Sequence, residues 1–176
     1  MSGQDPIKNK NSNEFLDRVK RLAQEDNGYR ASLRRSAGAL LQAADGKAVV
    51  NFYKAYPAGQ YYEEQYFFAA CVQCLWNVED LDKAVPIECA ARNMDESSKA
   101  VVEKRMEALL DLNWEKDGYL AAKLLRLIKF CKSKGTVIDC KSLLPDLLQW
   151  NNESRAVQKK WIREFYNNSY NKKEEK

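Results

Sequence analysis

Histidine is absent from all 176 residues. That removes the commonest general base, the commonest protein metal ligand and every Ser-His or Cys-His nucleophile pair, so catalysis is not expected. Phosphate-cradling loops are missing too. Neither G-x-x-x-x-G-K-[ST] nor G-x-G-x-x-G occurs, and the few glycines mark helix ends instead. No apolar run approaches the ~20 residues that span a bilayer. The opening MSGQDPIKNKNSN lacks the apolar middle of a signal peptide, so a cytoplasmic location is expected. No internal repeat or low-complexity segment is visible. The cysteines number five and are irregularly spaced, which suits a reducing compartment rather than a disulfide framework. Cys71-x-x-Cys74 has metal or redox spacing, but a zinc site needs four ligands and no second pair exists. Two small core side chains are the expectation there. Glu63-Glu64, Glu79-Asp80-Asp82 and Asp95-Glu96 match no two-metal or glycosidase arrangement, and the Asp80 cluster reads as a solvated loop. No catalytic residue, metal or cofactor is expected.

The chain is 45% hydrophobic and 31% charged, which places it among folded proteins. It is long enough to bury a real core as one domain, or as two small lobes. The net charge of +4 is mild, but its distribution is uneven. Gly118 to Arg163 carries ten Lys/Arg against three Asp/Glu, while Met1 to Asp95 carries twelve against thirteen. A localised basic excess is the footprint of an anionic partner.

Periodicity predicts an all-α domain of roughly eight to nine helices over 13–166, between a flexible N-terminus (1–12) and a flexible tail (167–176). Its N-terminal part is 13–95 and its basic C-terminal part 96–166. Asn11 or Ser12 is the expected cap of a first helix with Phe15, Leu16, Val19, Leu22 and Ala23 inward. A second helix runs through YRASLRRSAGALLQAA until Asp45-Gly46, and a short third stops at Pro57. The fourth, YYEEQYFFAACVQCLWNV, is apolar over most of its circumference and should be central. Val78 to Asp95 reads as a mobile loop with one helical turn in PIECAA; a strand pair lacks the necessary alternation. Ser97 or Ser98 opens a helix through Leu112, and Gly118 to Lys132 forms another. Asp139 or Ser142 caps the next, with Pro145 easily tolerated only if Ser142 is the cap. Asn152 to Tyr166 closes the series. Tyr61, Tyr62 and Trp76 are expected in core or edge packing.

Two helices pair an apolar arc with a basic one. On the first, Leu120, Leu124, Leu127, Ile128 and Cys131 oppose Lys123, Arg126 and Lys129. On the last, Val157, Trp161 and Phe165 oppose Arg155, Lys159 and Arg163, with Lys160 at the edge. Acidic residues scarcely enter either arc, unlike a solvated face laced with i, i+4 pairs. Arg105 falls inside the arc of Val101, Val102, Met106, Leu109 and Leu112. Its partner there is either an internal carboxylate or a phosphate, since a buried unpaired charge costs several kcal/mol. Arg34-Arg35 poses the same choice, and Arg suits phosphate because its fork bonds bidentately. No base-reading motif accompanies these cations, so backbone contacts with weak sequence preference are expected.

The order of these pieces resembles the CasB family, the small subunit of the type I-E CRISPR surveillance complex Cascade. The matching elements are Glu103-Lys104-Arg105, the Lys123–Lys129 helix, Val137-Ile138-Asp139, the L-x-x-D-L-x-x-W from Leu143 to Trp150, and Trp161 to Tyr166. Upstream, NGYRASLRRS matches the family's Gly-then-L-R-R element, so the resemblance covers about Asn27 to Tyr166. Cys140 departs from it, standing where the family often has Trp. The resemblance implies a non-catalytic helical subunit that self-associates as a pair within the complex. It would touch the target strand beside the guide–target duplex and steady the displaced non-target strand, while a recruited helicase–nuclease cuts. The implied partners are the large and backbone subunits, crRNA and single-stranded target and non-target DNA, with no membrane. Arg34, Arg35, Lys104, Arg105 and Lys123 are the implied strand contacts. Arg126, Lys129, Arg155, Lys159, Lys160 and Arg163 rest mainly on the helix faces. The alternative is a helical scaffold or adaptor whose basic face meets an acidic protein.

Overall fold

The computed structural model describes residues 6–57 and 61–170, and every structural statement below concerns these. Eight α-helices follow one another: α1 (Pro6–Glu25), α2 (Asn27–Arg35), α3 (Gly46–Ala55), α4 (Glu63–Gln73), α5 (Glu96–Leu110), α6 (Tyr119–Ser133), α7 (Cys140–Leu148) and α8 (Ala156–Ser169). Short 3₁₀ turns occupy Leu41–Ala43, Val78–Lys83 and Ile87–Cys89. The all-α expectation holds, and none of the described helices is long and apolar enough to cross a membrane.

α4 is the axis of the core. Its buried residues run almost without interruption from Gln65 to Gln73, so it meets neighbours on all sides, α1, α2 and α7 among them. Phe15, Leu16 and Val19 of α1 are fully buried as their spacing predicts. Phe15 packs edge-on against Phe52 of α3 and Tyr66 of α4, with ring centroids 6.0 and 5.0 Å apart. Cys71 and Cys74 are buried in this core and act as small apolar side chains. Burial pushes the Cys74 thiol up to about 12, and Cys71 is raised for the same reason. α5 packs on both α6 and α8, and the buried apolar side chains form one continuous cluster.

Several boundaries differ from those predicted. α1 starts at Pro6, so Asn11 and Ser12 lie inside it rather than at a cap; proline is well suited to a first turn. The part of the expected N-terminal flexible segment at 1–5 and the tail at 171–176 lie outside the described residues, while Asn167–Ser169 continue α8. The predicted second helix ends at Arg35, because the chain turns at Gly38 with φ +89°. A Cβ there would stand 2.5 Å from Leu125 Cδ2, and with the positive φ this favours glycine where the turn approaches α6. Asp45 caps α3 rather than stopping α2, its carboxylate accepting from Ala48 N at 3.0 Å.

Three further caps are also aspartates, the first being Asp26 of α2, which accepts from Gly28 N at 2.7 Å. Asp95 caps α5, accepting from the Ser97 hydroxyl and from Ser98 N and Oγ. These bonds hold its carboxyl well below the usual range. Asp139, not Ser142, caps α7, so Pro145 sits mid-helix and deprives one carbonyl of a donor in a helix that ends three residues later. The 78–95 stretch is packed rather than loose. Ile87, Ala90 and Ala91 are buried, and a parallel bridge joins Val85 to Ile138 through Val85 N to Val137 O (2.9 Å) and Asp139 N to Val85 O (2.8 Å). The helical turn predicted in PIECAA is the 3₁₀ turn Ile87–Cys89. Trp76 is buried as expected, whereas Tyr61 is 82% and Tyr62 48% exposed.

Candidate nucleic-acid interface

The α6 arcs fall as their spacing dictates. Leu120, Leu124, Leu127, Ile128 and Cys131 are buried, while Arg126 and Lys129 are exposed and Lys123 half-exposed on the other side. Lys123 Nζ stands 4.9 Å from the Tyr119 ring centre. On α5, Val102, Met106 and Leu109 are buried, but Arg105 is exposed and pairs with no carboxylate among the described residues. Its expected place inside the apolar arc is therefore corrected: Arg105 lies at the edge facing α6. There its guanidinium covers Phe130 at 4.9 Å from the centroid, and Nη1 donates to the Arg126 carbonyl at 2.9 Å. Lys134 Nζ approaches the same ring at 5.6 Å. Phe130 thus carries two cations and has Arg126 one helical turn before it. Cation–π contacts of this kind contribute about 0.5–1 kcal/mol each at exposed sites and hold long side chains in place.

None of Arg105, Arg126, Lys129 or Lys134 is within ion-pair distance of a carboxylate among the described residues. Lys104, on the outer side of α5, is likewise exposed and in no ion pair among those residues. Arg34 and Arg35 are exposed at the end of α2, just before the turn that meets α6 at Leu125. Lys134 and Phe130 were not picked out from the sequence. The signal was present: Arg126, Phe130 and Lys134 recur at i, i+4 and i+8, which puts them on one stripe.

α8 does not repeat this arrangement. The helix starts at Ala156, and Arg155 precedes it in the left-handed conformation at φ +54°. Its guanidinium closes a loop, donating to Asn113 Oδ1 at 3.0 Å and Leu112 O at 3.3 Å. Arg163 pairs with Glu164 at 3.2 Å. Lys159 is exposed, but it and Arg163 share a stripe with Tyr166 and Tyr170, whose hydroxyls both donate to Glu103 of α5. Glu103 and Glu107 raise the Tyr166 pKa, and Glu103 and Glu96 raise that of Tyr170, both alongside desolvation. The α8 cations therefore border an acidic edge of α5, while Arg105 lies on the opposite, basic edge.

Lys160 is taken up internally. Its ammonium donates to Asp146 Oδ1 and Oδ2 at 2.6 and 2.7 Å, and Trp161 Nε1 donates to the same carboxylate at 2.7 Å. Glu88 lies 3.9 Å from Lys160 on the other side. Burial pushes the Glu88 carboxyl up, against the pull of Lys160 and with further repulsion from Asp146 and Glu164. A folded-state value above the ordinary 4.5 means the protonated form favours the fold. That contribution is full in acid and is lost as pH rises through the folded value. Glu88→Gln is accordingly expected to raise the urea midpoint at pH 7 and to leave it unchanged near pH 4. A lower midpoint at pH 7 would show that Lys160 needs the Glu88 charge.

A family model described as CRISPR-associated protein Cse2 matches residues 29–166. Over 166 residues the chain is 30% identical to the CRISPR-associated protein Cse2 of Thermus thermophilus, covering 92% of this chain and 94% of that one. The crystal structure of CasB from Thermus thermophilus superposes with a TM-score of 0.69 at 29% identity, covering 88% of this chain and 97% of the other. A chain of a solved CRISPR RNA-guided surveillance complex shares the fold, with a TM-score of 0.66 at 18% identity over 90% of this chain and 91% of that one.

Proposed function

The chain belongs to the CRISPR-associated Cse2 family, the CasB small-subunit family that its motifs resemble, and from this we propose that it is a non-catalytic subunit of a type I-E Cascade complex. In that role it holds single-stranded nucleic acid on the surface shared by α5 and α6. The observation that carries this reading is the pair of Arg105 and Lys134 set on Phe130, with Arg105 bonded to the Arg126 carbonyl, the exposed Arg126 and Lys129 on the same helix, and none of the four in an ion pair among the described residues. Arginines and lysines already ordered on an aromatic ring need no carboxylate displaced before they meet phosphates. Arg34, Arg35, Lys104 and Lys123 extend the surface. Arg155 and Lys160 leave the site, being engaged with the protein itself, and Lys159 and Arg163 stand at its acidic border.

The mechanism follows from the near balance of strand exchange. A guide–target duplex is about as stable as the DNA duplex it replaces, so modest stabilisation of the open state decides the outcome. Neutralising phosphates of a separated strand disfavours re-annealing without reading its bases. The chain acts as a cytoplasmic subunit, paired with a second copy and seated against the large and backbone subunits. Reconstituting the guide-RNA complex with and without the chain tests this. The displaced strand on a matched target is expected to become protected from chemical probing and longer-lived when the chain is present. Incorporation without added protection would make it a spacer, and failure to incorporate would remove the subunit assignment.

A further inference from the structure

We propose that the groove between the 78–95 segment and the C-terminal end of α6 is a second, separate site for a single-stranded phosphodiester backbone. This rests on the nucleic-acid reading above but concerns residues outside its surface. The groove has a volume of about 830 Å³ and is lined by Lys83, Arg92 and Lys132, with Asn93, Asn168 and one carboxylate, Asp80. The three cations come from three places in the chain: the end of a 3₁₀ turn, the loop before α5, and the last turn of α6. All three are exposed, and none is in an ion pair among the described residues.

The floor is rigid. Val85 is tied to Val137 and Asp139 by backbone hydrogen bonds of 2.9 and 2.8 Å, and the Thr136 hydroxyl donates to Ala90 O. Little ordering is then left for a ligand to impose, which favours binding. Convergent cations select an anion, and a net excess of two positive charges over this length suits repeated charges rather than one. The Asn93 and Asn168 amides can each donate and accept, which suits a mixed surface of phosphate, sugar and base edge better than an acidic peptide alone. Lys132 lies about 160° around α6 from Phe130 but only about 60° from Lys129, so the groove opens away from the ring and adjoins the α5–α6 surface along the Lys129 edge.

The test uses the full chain and a twelve-nucleotide oligothymidylate, with stoichiometry read by native mass spectrometry at low salt. The wild type is expected to bind two oligonucleotides. Lys83→Glu with Arg92→Glu and Lys132→Glu should bind one, with the remaining site unchanged in affinity. A chain with Arg105, Arg126, Lys129 and Lys134 changed to Gln should bind one through the groove. Reversing the groove lysines and arginine in that chain as well should remove the remaining oligonucleotide. If reversing the groove leaves stoichiometry and affinity as they were, the groove proposal is overturned and the α5–α6 reading stands. Loss of all binding on reversing the groove, with none lost on neutralising the α5–α6 surface, keeps the groove and removes that reading. No binding by the wild type overturns both. A groove that takes a polyglutamate peptide as tightly as the oligonucleotide is an acidic-protein site, which overturns the strand assignment.

Discussion

Replacing Asp146 with alanine is expected to destabilise the fold by about 3 kcal/mol, a drop of roughly 6–12 °C in melting temperature for a chain of this size. Asp146 is 3% exposed and accepts from two different side chains of α8, the Lys160 ammonium and the Trp161 indole. Its removal orphans the N–H of a fully buried Trp and leaves a partly buried cation with only Glu88 nearby, at 3.9 Å. An unmet buried donor alone costs about 1–3 kcal/mol, and the lost charge-assisted bonds add to it. Asp146→Asn keeps an acceptor for Trp161 and should lose distinctly less. Lys160→Met separates the two contributions in a double-mutant cycle. Denaturant unfolding followed by circular dichroism gives all four values. A loss below about 1 kcal/mol for Asp146→Ala would mean that Lys160 and Trp161 find water or new partners freely.

The second large effect is on binding. Changing Arg105, Arg126, Lys129 and Lys134 to Gln is expected to weaken single-strand binding at the α5–α6 surface by roughly 10²–10³-fold near 0.1 M salt, with the log–log salt slope reduced by about 3. The measurement is made in a chain whose Lys83, Arg92 and Lys132 are already reversed, so that only this surface contributes. Neutralising Lys159 and Arg163 should do much less, because Arg163 already pairs with Glu164 and both cations stand on the stripe whose Tyr166 and Tyr170 meet Glu103. Arg155→Gln should leave the slope alone and loosen the loop at Leu112 instead. An unchanged slope in the quadruple variant, with helix content preserved, sinks the reading of this surface as a strand site.

These contrasts show which parts of the site were legible in the sequence. The α6 faces were, because seven of its fifteen residues are buried and fix the helix's rotation, leaving Arg126 and Lys129 nowhere to go but outward. The α8 stripe was misread at its start. A helix extrapolated back through Asn152 puts Arg155 on the basic arc, but the Asn151 side chain clamps the Trp114 backbone and Arg155 turns left-handed before the helix begins. Lys160 was misread for a different reason: its partner Asp146 lies fourteen residues away on another helix, beyond the reach of a one-helix pattern. Arg105 lay at the boundary of its arc, where a rotation of a few tens of degrees decides between core and surface. The groove is further removed, since the Val85–Ile138 bridge and the Thr136–Ala90 bond bring its walls together and no periodicity announces such contacts.

The thiols described with the core also have a practical consequence. Cys71, Cys74, Cys131 and Cys140 are buried, and burial holds each of their pKa values up, so thiol-directed reagents should pass them by in the folded chain. Cys89 is only partly buried and stands in the wall of the groove beside Lys83, Arg92 and Lys132; burial, Glu88 and Glu164 raise its pKa as well, so access rather than acidity sets it apart. The natural chain therefore offers one addressable sulfur next to its second basic surface, and a maleimide dye attached there at mildly alkaline pH reports occupancy of the groove in a protein with no residue changed.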